Sequence, residues 1–341
     1  MTCPHCLANL TQRDRPNLTC SKCDKKFAFD PKTNPLMLHD LLLGKVVDRL
    51  SDNGRLRYTA TQLWYASARK TARLDVQRVR PGAMALFVAV ILGIAALGVE
   101  KGFEFHNVTA VVGYSIPLLI FVVVGIWWLR RRWRRTIGVR LPWEKFDRDV
   151  VRRWQGIYGE PPRGMVYDGT FRAPVVPPEP ALAVLSPDKS VLACLQANLV
   201  PERLSVALAR RVGQVPPGVP VLLLHDASPA GCRLAGHVRA ALPGRIVLDG
   251  GLRPQKVMAG KAAVRLRTAR LREDEVAALR ALGTLTDKEL EWLAKGWWSP
   301  VAAVRPDALI TKVKTTVGRA LTSDPAHGAA AAVGFLTWPA A

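Results

Sequence analysis

Two uncharged, apolar runs, Ala83 to Val99 and Val108 to Leu129, sit between arginine-rich shoulders and constrain this chain more than any other feature. They are 17 and 22 residues long, near the roughly 20 residues that cross a bilayer's hydrocarbon core, and the link 100–107 suits a helical hairpin. Arg69, Lys70, Arg73, Arg78 and Arg80 precede the first run, and Arg130, Arg131, Arg132, Arg134 and Arg135 follow the second. The link carries only Lys101 with Glu100 and Glu104. The positive-inside rule then puts both termini in the cytosol, so the expectation is a two-pass protein of the inner (plasma) membrane. A cleaved signal peptide is disfavoured by the long segment before the first run. No Asp, Glu, Lys or Arg lies inside either run, which argues against a transporter or channel built on an intramembrane charge.

The net charge is +22, and its distribution separates possible partners. Residues 1–80 carry +8, 81–129 carry −1, 130–180 carry +6 and 181–341 carry +9. A lipid bilayer with anionic headgroups accounts for the cations beside the runs. It does not account for the excess on the distal part, which suggests a polyanion such as nucleic acid, although soluble proteins of arginine-rich composition often carry such a surface without one.

Cys3-Pro4-His5-Cys6 and Cys20-Ser21-Lys22-Cys23 are two CxxC pairs separated by 13 residues, the spacing of a zinc ribbon. Four thiolates give Zn²⁺ a closed tetrahedral shell, so the site is structural and has no open position for catalysis. His5 reads as solvent-facing rather than as a ligand, and Cys194 and Cys232 as buried apolar residues. A ribbon over 1–33 scaffolds a surface for nucleic acid or for a protein partner, and spacing does not choose between them. Over 34–80 the pattern is helix, turn, helix: Leu38, Leu41, Leu42, Val46 and Leu50 recur at helical spacing, and Asp52-Asn53-Gly54 breaks the run. Thr59 and Gln62 form a capping box ahead of Leu63 to Ala66. Either a helical hairpin or a helix-turn-helix or winged-helix module fits.

The hairpin occupies 81–129, and 130–180 holds a basic juxtamembrane helix, Trp143 to Trp154, and a Pro-rich linker, Ala173 to Pro180. From Ala181 strands alternate with helices: apolar runs at Ala181 to Leu185, Leu204 to Ala209, Val219 to Leu224 and Arg245 to Leu248 predict a small, largely parallel sheet. Ligands of such sheets lie beyond the carboxyl ends of the strands, where Asp226 falls.

The loop Asp226-Ala227-Ser228-Pro229-Ala230-Gly231 resembles the Toprim signature Asp-x-Asp-Pro-x-Gly, and Ala60 to Ser67 is similar to the winged-helix segment of the topoisomerase VI A subunit and its meiotic relatives. The resemblance implies a Toprim-like domain over 181–272, with Tyr65 on the position of the DNA-attacking tyrosine and Asp226 on that of an Mg²⁺-binding carboxylate. The departures fall on the chemistry. Ser228 replaces the second aspartate, Ser186-Pro187 stands near the expected glutamate with Asp188 as a substitute, Thr61 replaces the motif arginine and Trp64 the first tyrosine. A lone Asp226 makes Mg²⁺ doubtful, and Asp226 also suits a cap on the following helix.

Lys256, Lys261, Arg265, Arg267, Arg270 and Arg272 form a basic run, either a solvated face or a phosphate-contacting strip. Paired helices extend the domain over 273–322, packed by Trp292, Trp297 and Trp298, and 323–341 reads as a disordered tail. The fold class expected is a multi-domain membrane protein: zinc ribbon, helical or winged-helix module, two-helix transmembrane hairpin, and C-terminal α/β Toprim/Rossmann-like domain with a helical extension. The function expected is non-catalytic binding of a cytosolic partner, nucleic acid foremost. The alternatives are Mg²⁺-dependent DNA cleavage by Tyr65 and Asp226, or a membrane scaffold that binds protein.

Overall fold

The computed structural model describes residues 1–68, 137–139 and 141–322. The ribbon does not stand apart from the helices next to it in the chain. Its last residues, Ala28 and Phe29, enter one core with Leu43, Val47 and Leu50 of α1 (Asp40–Leu50) and Leu63 of α2 (Ala60–Ala68). Asp40 joins them: its carboxylate accepts the backbone N–H groups of Ala28 at 2.7 Å and Phe29 at 2.9 Å, and the Tyr158 hydroxyl. An Arg15–Asp30 ion pair at 3.0 Å lies beneath the ribbon, both side chains buried.

His39 caps α1 through its ring nitrogen, which accepts the Leu42 N–H. The helix stops where Asp52, Asn53 and Gly54 all take positive φ, a conformation those residue types tolerate. β1 (Tyr58–Thr59) leads into α2 through the capping box: Thr59 N–H donates to the Gln62 side chain, and Gln62 N–H to the Thr59 hydroxyl. The winged-helix expectation is corrected here. β1 pairs in parallel with the distant β2 (Met165–Val166), whereas a wing requires an antiparallel hairpin beside the helices.

Helix α3 (Trp143–Phe146) runs on through a π-helical stretch, Asp147–Arg152, and a last segment, Arg153–Tyr158. Its apolar residues Phe146, Val150 and Val151 are fully buried in the same core as α1 and α2. The expected juxtamembrane helix is therefore a packed helix whose apolar face is already covered by protein.

Four parallel strands organise the C-terminal half: β3 (Leu182–Leu185), β4 (Val206–Ala209), β5 (Val221–Leu223) and β6 (Val247–Asp249), in the order β4-β3-β5-β6. Side chains alternate along them, as a pleated strand requires. Leu182, Val184, Val206, Leu208 and Leu222 face one core; Leu185, Ala209, Val221, Leu223 and Val247 face the other. The first core is closed by α4 (Lys189–Ala197) with the short α5 (Val200–Leu204), and the second by α6 (Pro229–Ala241). Beyond β6 come α7 (Pro254–Ala259), β7 (Leu266–Arg267), α8 (Glu273–Arg280), α9 (Asp287–Ala294), β8 (Trp297–Trp298) and α10 (Pro306–Thr322), with β7 antiparallel to β8. Leu309, Val313 and Val317 of α10 lie in the first sheet core, so this last helix completes the α/β layer structure. The Pro-rich stretch is also tied down: Val175 pairs with Leu208 at the sheet's edge.

Among the described residues no helix is long and apolar enough to cross a membrane. The longest, α10, has 17 residues, includes Lys312, Lys314 and Arg319, and is spent on the sheet core. The runs 83–99 and 108–129 lie outside the described residues, as does the tail 323–341. The expected fold class is corrected accordingly. The structure supports a mixed α/β fold with a parallel sheet and an N-terminal four-cysteine cluster, and supports neither the two-pass hairpin, the transmembrane character nor the inner-membrane location.

Candidate functional site

The four cysteines meet as their spacing requires. Each knuckle places a backbone N–H on a sulfur, His5 on Cys3 and Lys22 on Cys20, both at 3.4 Å. Across the knuckles, the sulfurs of Cys3 and Cys23 are 3.9 Å apart and those of Cys6 and Cys20 3.8 Å. The four sulfurs lie within 4.8 Å of one another, a group that could hold a metal ion, and all four cysteines are free thiols.

Their acidities diverge. Burial raises the pKa of Cys3, but the N–H groups of Cys6 and His5 outweigh it and bring the thiol down to about 7. The Lys25 N–H favours a thiolate at Cys23, but burial and the other three thiols push it up to about 12. Four crowded sulfurs cannot all ionise without a cation among them, which is the condition a bound metal satisfies. His5 is exposed, and its Nε2 donates to the Lys26 carbonyl at 2.8 Å, so it is no ligand.

The second concentration of chemistry is the carboxyl edge of the sheet. With strand order β4-β3-β5-β6 the chain reverses direction across β3, and the crevice between the ends of β3 and β5 is the switch point at which such sheets bind ligands. Asp188 follows β3 and Asp226 follows β5. Helix α2 lies across this edge on three hydrogen bonds: the Thr59 and Ser190 hydroxyls at 2.5 Å, the Gln62 amide to the Val304 carbonyl at 3.0 Å, and the Thr61 hydroxyl to Asp168. Tyr65 is thereby held near enough to Asp226, Asp188 and Asp168 for their charges to act on its hydroxyl.

The protonation states found there do not suit a nucleophile. Tyr65 is only 8% exposed, packed with Val264, Leu266 and Ala302. Burial, and then Asp226, Asp188 and Asp168 in turn, push its hydroxyl well above the ordinary range, away from the phenolate. Burial, reinforced by Asp226, pushes Asp188 up to about 6. Burial also raises Asp226 and Asp168 against the hydrogen bonds they accept.

The cap role expected of Asp226 falls to another residue. Asp226 does not cap α6; Ser228 does, its hydroxyl accepting Gly231 N–H at 3.0 Å. Asp226 instead accepts Val301 N–H at 2.7 Å, anchoring the turn that leads to α10. Asp188, offered as a catalytic substitute, caps α4 through Ser190 and Val191. Among the described residues, only the four-cysteine group brings three or more His, Cys, Asp or Glu ligand atoms within 4.8 Å of one another.

Sequence reasoning missed the pair behind this edge. His225 is buried, its Nδ1 donating to the Asp226 carbonyl at 2.7 Å and its Nε2 meeting Asp249 at 2.9 Å. The ring is clamped by two glycines. A Cβ on Gly251 would stand 2.4 Å from His225, and one on Gly231 2.1 Å from the Asp226 carbonyl oxygen. The signal was available in Asp249-Gly250-Gly251, an acid and two glycines directly after an apolar strand.

A pocket of about 270 Å³ opens beside Asp226, lined also by Ser228, Pro229, Thr268, Leu271, Gly296 and Trp298. Its polarity arises from strand alternation. Ala227 and Ser299 exchange backbone hydrogen bonds at 3.0 Å, so their side chains share one face and Asp226, Ser228 and Trp298 occupy the other. Trp298, expected to pack the helix pair, is a pocket wall instead. Cys194 is buried as expected, whereas Cys232 is half-buried.

The basic run divides into structural and free members. Arg265 caps the end of α7 through the carbonyls of Val257, Met258 and Gly260, Arg267 donates to the Lys295 carbonyl and covers the Trp297 ring, and Arg272 pairs with Asp274. Lys256, Lys261 and Arg270 are exposed. No family model, curated protein or solved structure matches the chain.

Proposed function

We propose that the protein is a non-catalytic nucleic-acid-binding protein in which Zn²⁺, held by Cys3, Cys6, Cys20 and Cys23, stiffens a cationic ribbon. The observation that carries the reading is the second knuckle: Lys22 within it and Lys25 and Lys26 directly after it are all exposed, on a chain of net charge +22. A metal-fixed turn presents these ammonium groups at little further entropic cost, and phosphates are the partner that many such groups suit. The Toprim resemblance is in keeping with affinity for nucleic acid. Cleavage by Tyr65 and Asp226 draws less support, because the tyrosine is buried with its hydroxyl pushed away from ionisation and the carboxylates do not gather as Mg²⁺ ligands.

The test is binding of the full chain to a labelled oligonucleotide, titrated with salt. Affinity falls with a log–log slope of about 0.7 to 0.9 per phosphate contact, and replacing Lys22, Lys25 and Lys26 with Gln lowers that slope by about two to three. Absence of binding at low salt sinks the reading and leaves the ribbon to a protein partner.

A further inference from the structure

The pocket beside Asp226 has a chemistry that binding of the phosphate backbone does not use. Its floor is a carboxylate with one oxygen engaged by Val301 N–H and the other without a hydrogen bond among the described residues. Beside it stands the Ser228 hydroxyl, whose oxygen accepts Gly231 N–H and whose own hydrogen is not spent in that bond. One wall is the indole of Trp298. At about 270 Å³ the space admits a planar heterocycle and little more. Even in a chain of net charge +22, a carboxylate lining the pocket repels phosphate, so the moiety entering here is the part of a nucleotide that donates hydrogen bonds.

Resting on the nucleic-acid reading, we propose that this pocket receives one unpaired guanine base of a single strand. Guanine presents adjacent N1–H and N2–H donors, both within reach of the two lone pairs of the second Asp226 oxygen, with O6 next to them as acceptor for the Ser228 hydroxyl. Thymine and uracil offer a single N–H flanked by carbonyls, which face the carboxylate unfavourably. Adenine and cytosine offer one amino group beside a ring nitrogen that is itself an acceptor. The ring stacks on Trp298, an interaction any base makes, so Trp298 supplies affinity and Asp226 supplies choice. A duplex buries the Watson–Crick edge that Asp226 reads, so the site requires a base free of its partner strand.

The experiment measures affinity of the full chain for oligonucleotides of one length that carry guanine, hypoxanthine or thymine at a central position in a thymine background. The wild type prefers guanine, and hypoxanthine, which lacks only the N2 amino group, loses about tenfold, the effect of one well-formed hydrogen bond to a charged group. Asp226→Asn keeps an oxygen for Val301 N–H but replaces the charged acceptor by a donor, so it erases the preference for guanine over hypoxanthine and thymine. Trp298→Ala weakens all three strands by about tenfold, as loss of a stacking platform does. Binding with equal affinity for the three bases, or a guanine preference that survives Asp226→Asn, overturns the pocket assignment and leaves the nucleic-acid reading in place. No binding to any strand overturns both.

Discussion

The carboxyl edge of the sheet makes a stability prediction at Asp188. Its side chain caps α4, accepting Ser190 N–H at 2.8 Å and Val191 N–H at 3.3 Å, yet burial, helped by Asp226 and Asp168, carries its pKa from 3.8 to about 6. At 1.36 kcal/mol per pKa unit, that displacement makes the ionised folded form about 3 kcal/mol less favourable than the ionised unfolded chain. The folded protein binds more protons than the unfolded one between about pH 4 and pH 6, so this group's contribution to stability falls as pH rises through that window and is least favourable above it. Asparagine caps helices as well as aspartate does, so Asp188→Asn removes the charge and keeps the cap. At pH 8 the variant is expected to be about 2–3 kcal/mol more stable, which for a folded unit of this size raises Tm by roughly 5–10 °C. The advantage shrinks as the pH is lowered toward 5. Thermal and urea unfolding of both proteins, with Zn²⁺ held constant from pH 5 to pH 8, measures this. A variant that is no more stable at pH 8, or that keeps the wild-type slope below pH 6, refutes the electrostatic account and leaves Asp188 as an ordinary cap.

Neighbouring contacts set three further expectations. Both nitrogens of His225 face acceptors, which favours the charged ring: burial opposes the charge, but Asp249 and the Asp226 carbonyl raise the folded pKa above its ordinary 6.5. Its stabilisation is therefore complete below pH 6.5 and lost as pH rises through the folded value, a decline that His225→Gln flattens in denaturation midpoints and that an NMR titration of the ring locates. Gly251→Ala drives a Cβ to 2.4 Å from that ring and costs about 1–3 kcal/mol, read as a lowered urea midpoint; a neutral result means the loop relaxes freely. Asp40→Ala leaves the Ala28 and Phe29 N–H groups buried without acceptors, and at about 1–3 kcal/mol for each orphaned donor it loosens the ribbon, seen as faster release of Zn²⁺ to a chelator than in the wild type.

What the sequence made legible was local. The CxxC pairs and the Thr59–Gln62 capping box each depend on residues a few positions apart, and each forms as its spacing implies. The four apolar strands were readable for the same reason. Strand order was not, because β5 pairs with β3 rather than with its predecessor β4, a choice made by two cores filling at once. Nor could α10 be seen as the helix that closes the first core, since its partners Leu182 and Leu208 lie about a hundred residues away. The membrane expectation drew on hydropathy at 83–129, and the apolar helices that are described, α3 and α10 among them, are consumed by protein cores.

The meeting of Tyr65 with Asp226 is legible in motif order, but its cause is architectural. Helix α2 is fastened to the sheet edge by Thr59, Thr61 and Gln62, residues at its first turn, and a helix so fixed carries Tyr65 one turn further onto Leu266 and Ala302 whatever the tyrosine's chemistry. A DNA-attacking tyrosine needs its proton drawn away, by a nearby cation or base. Here burial and three carboxylates do the opposite and hold the neutral phenol. Those conditions suit an edge that is hydrogen-bonded toward α2 and turns the Asp226 carboxylate to the open pocket on its other side.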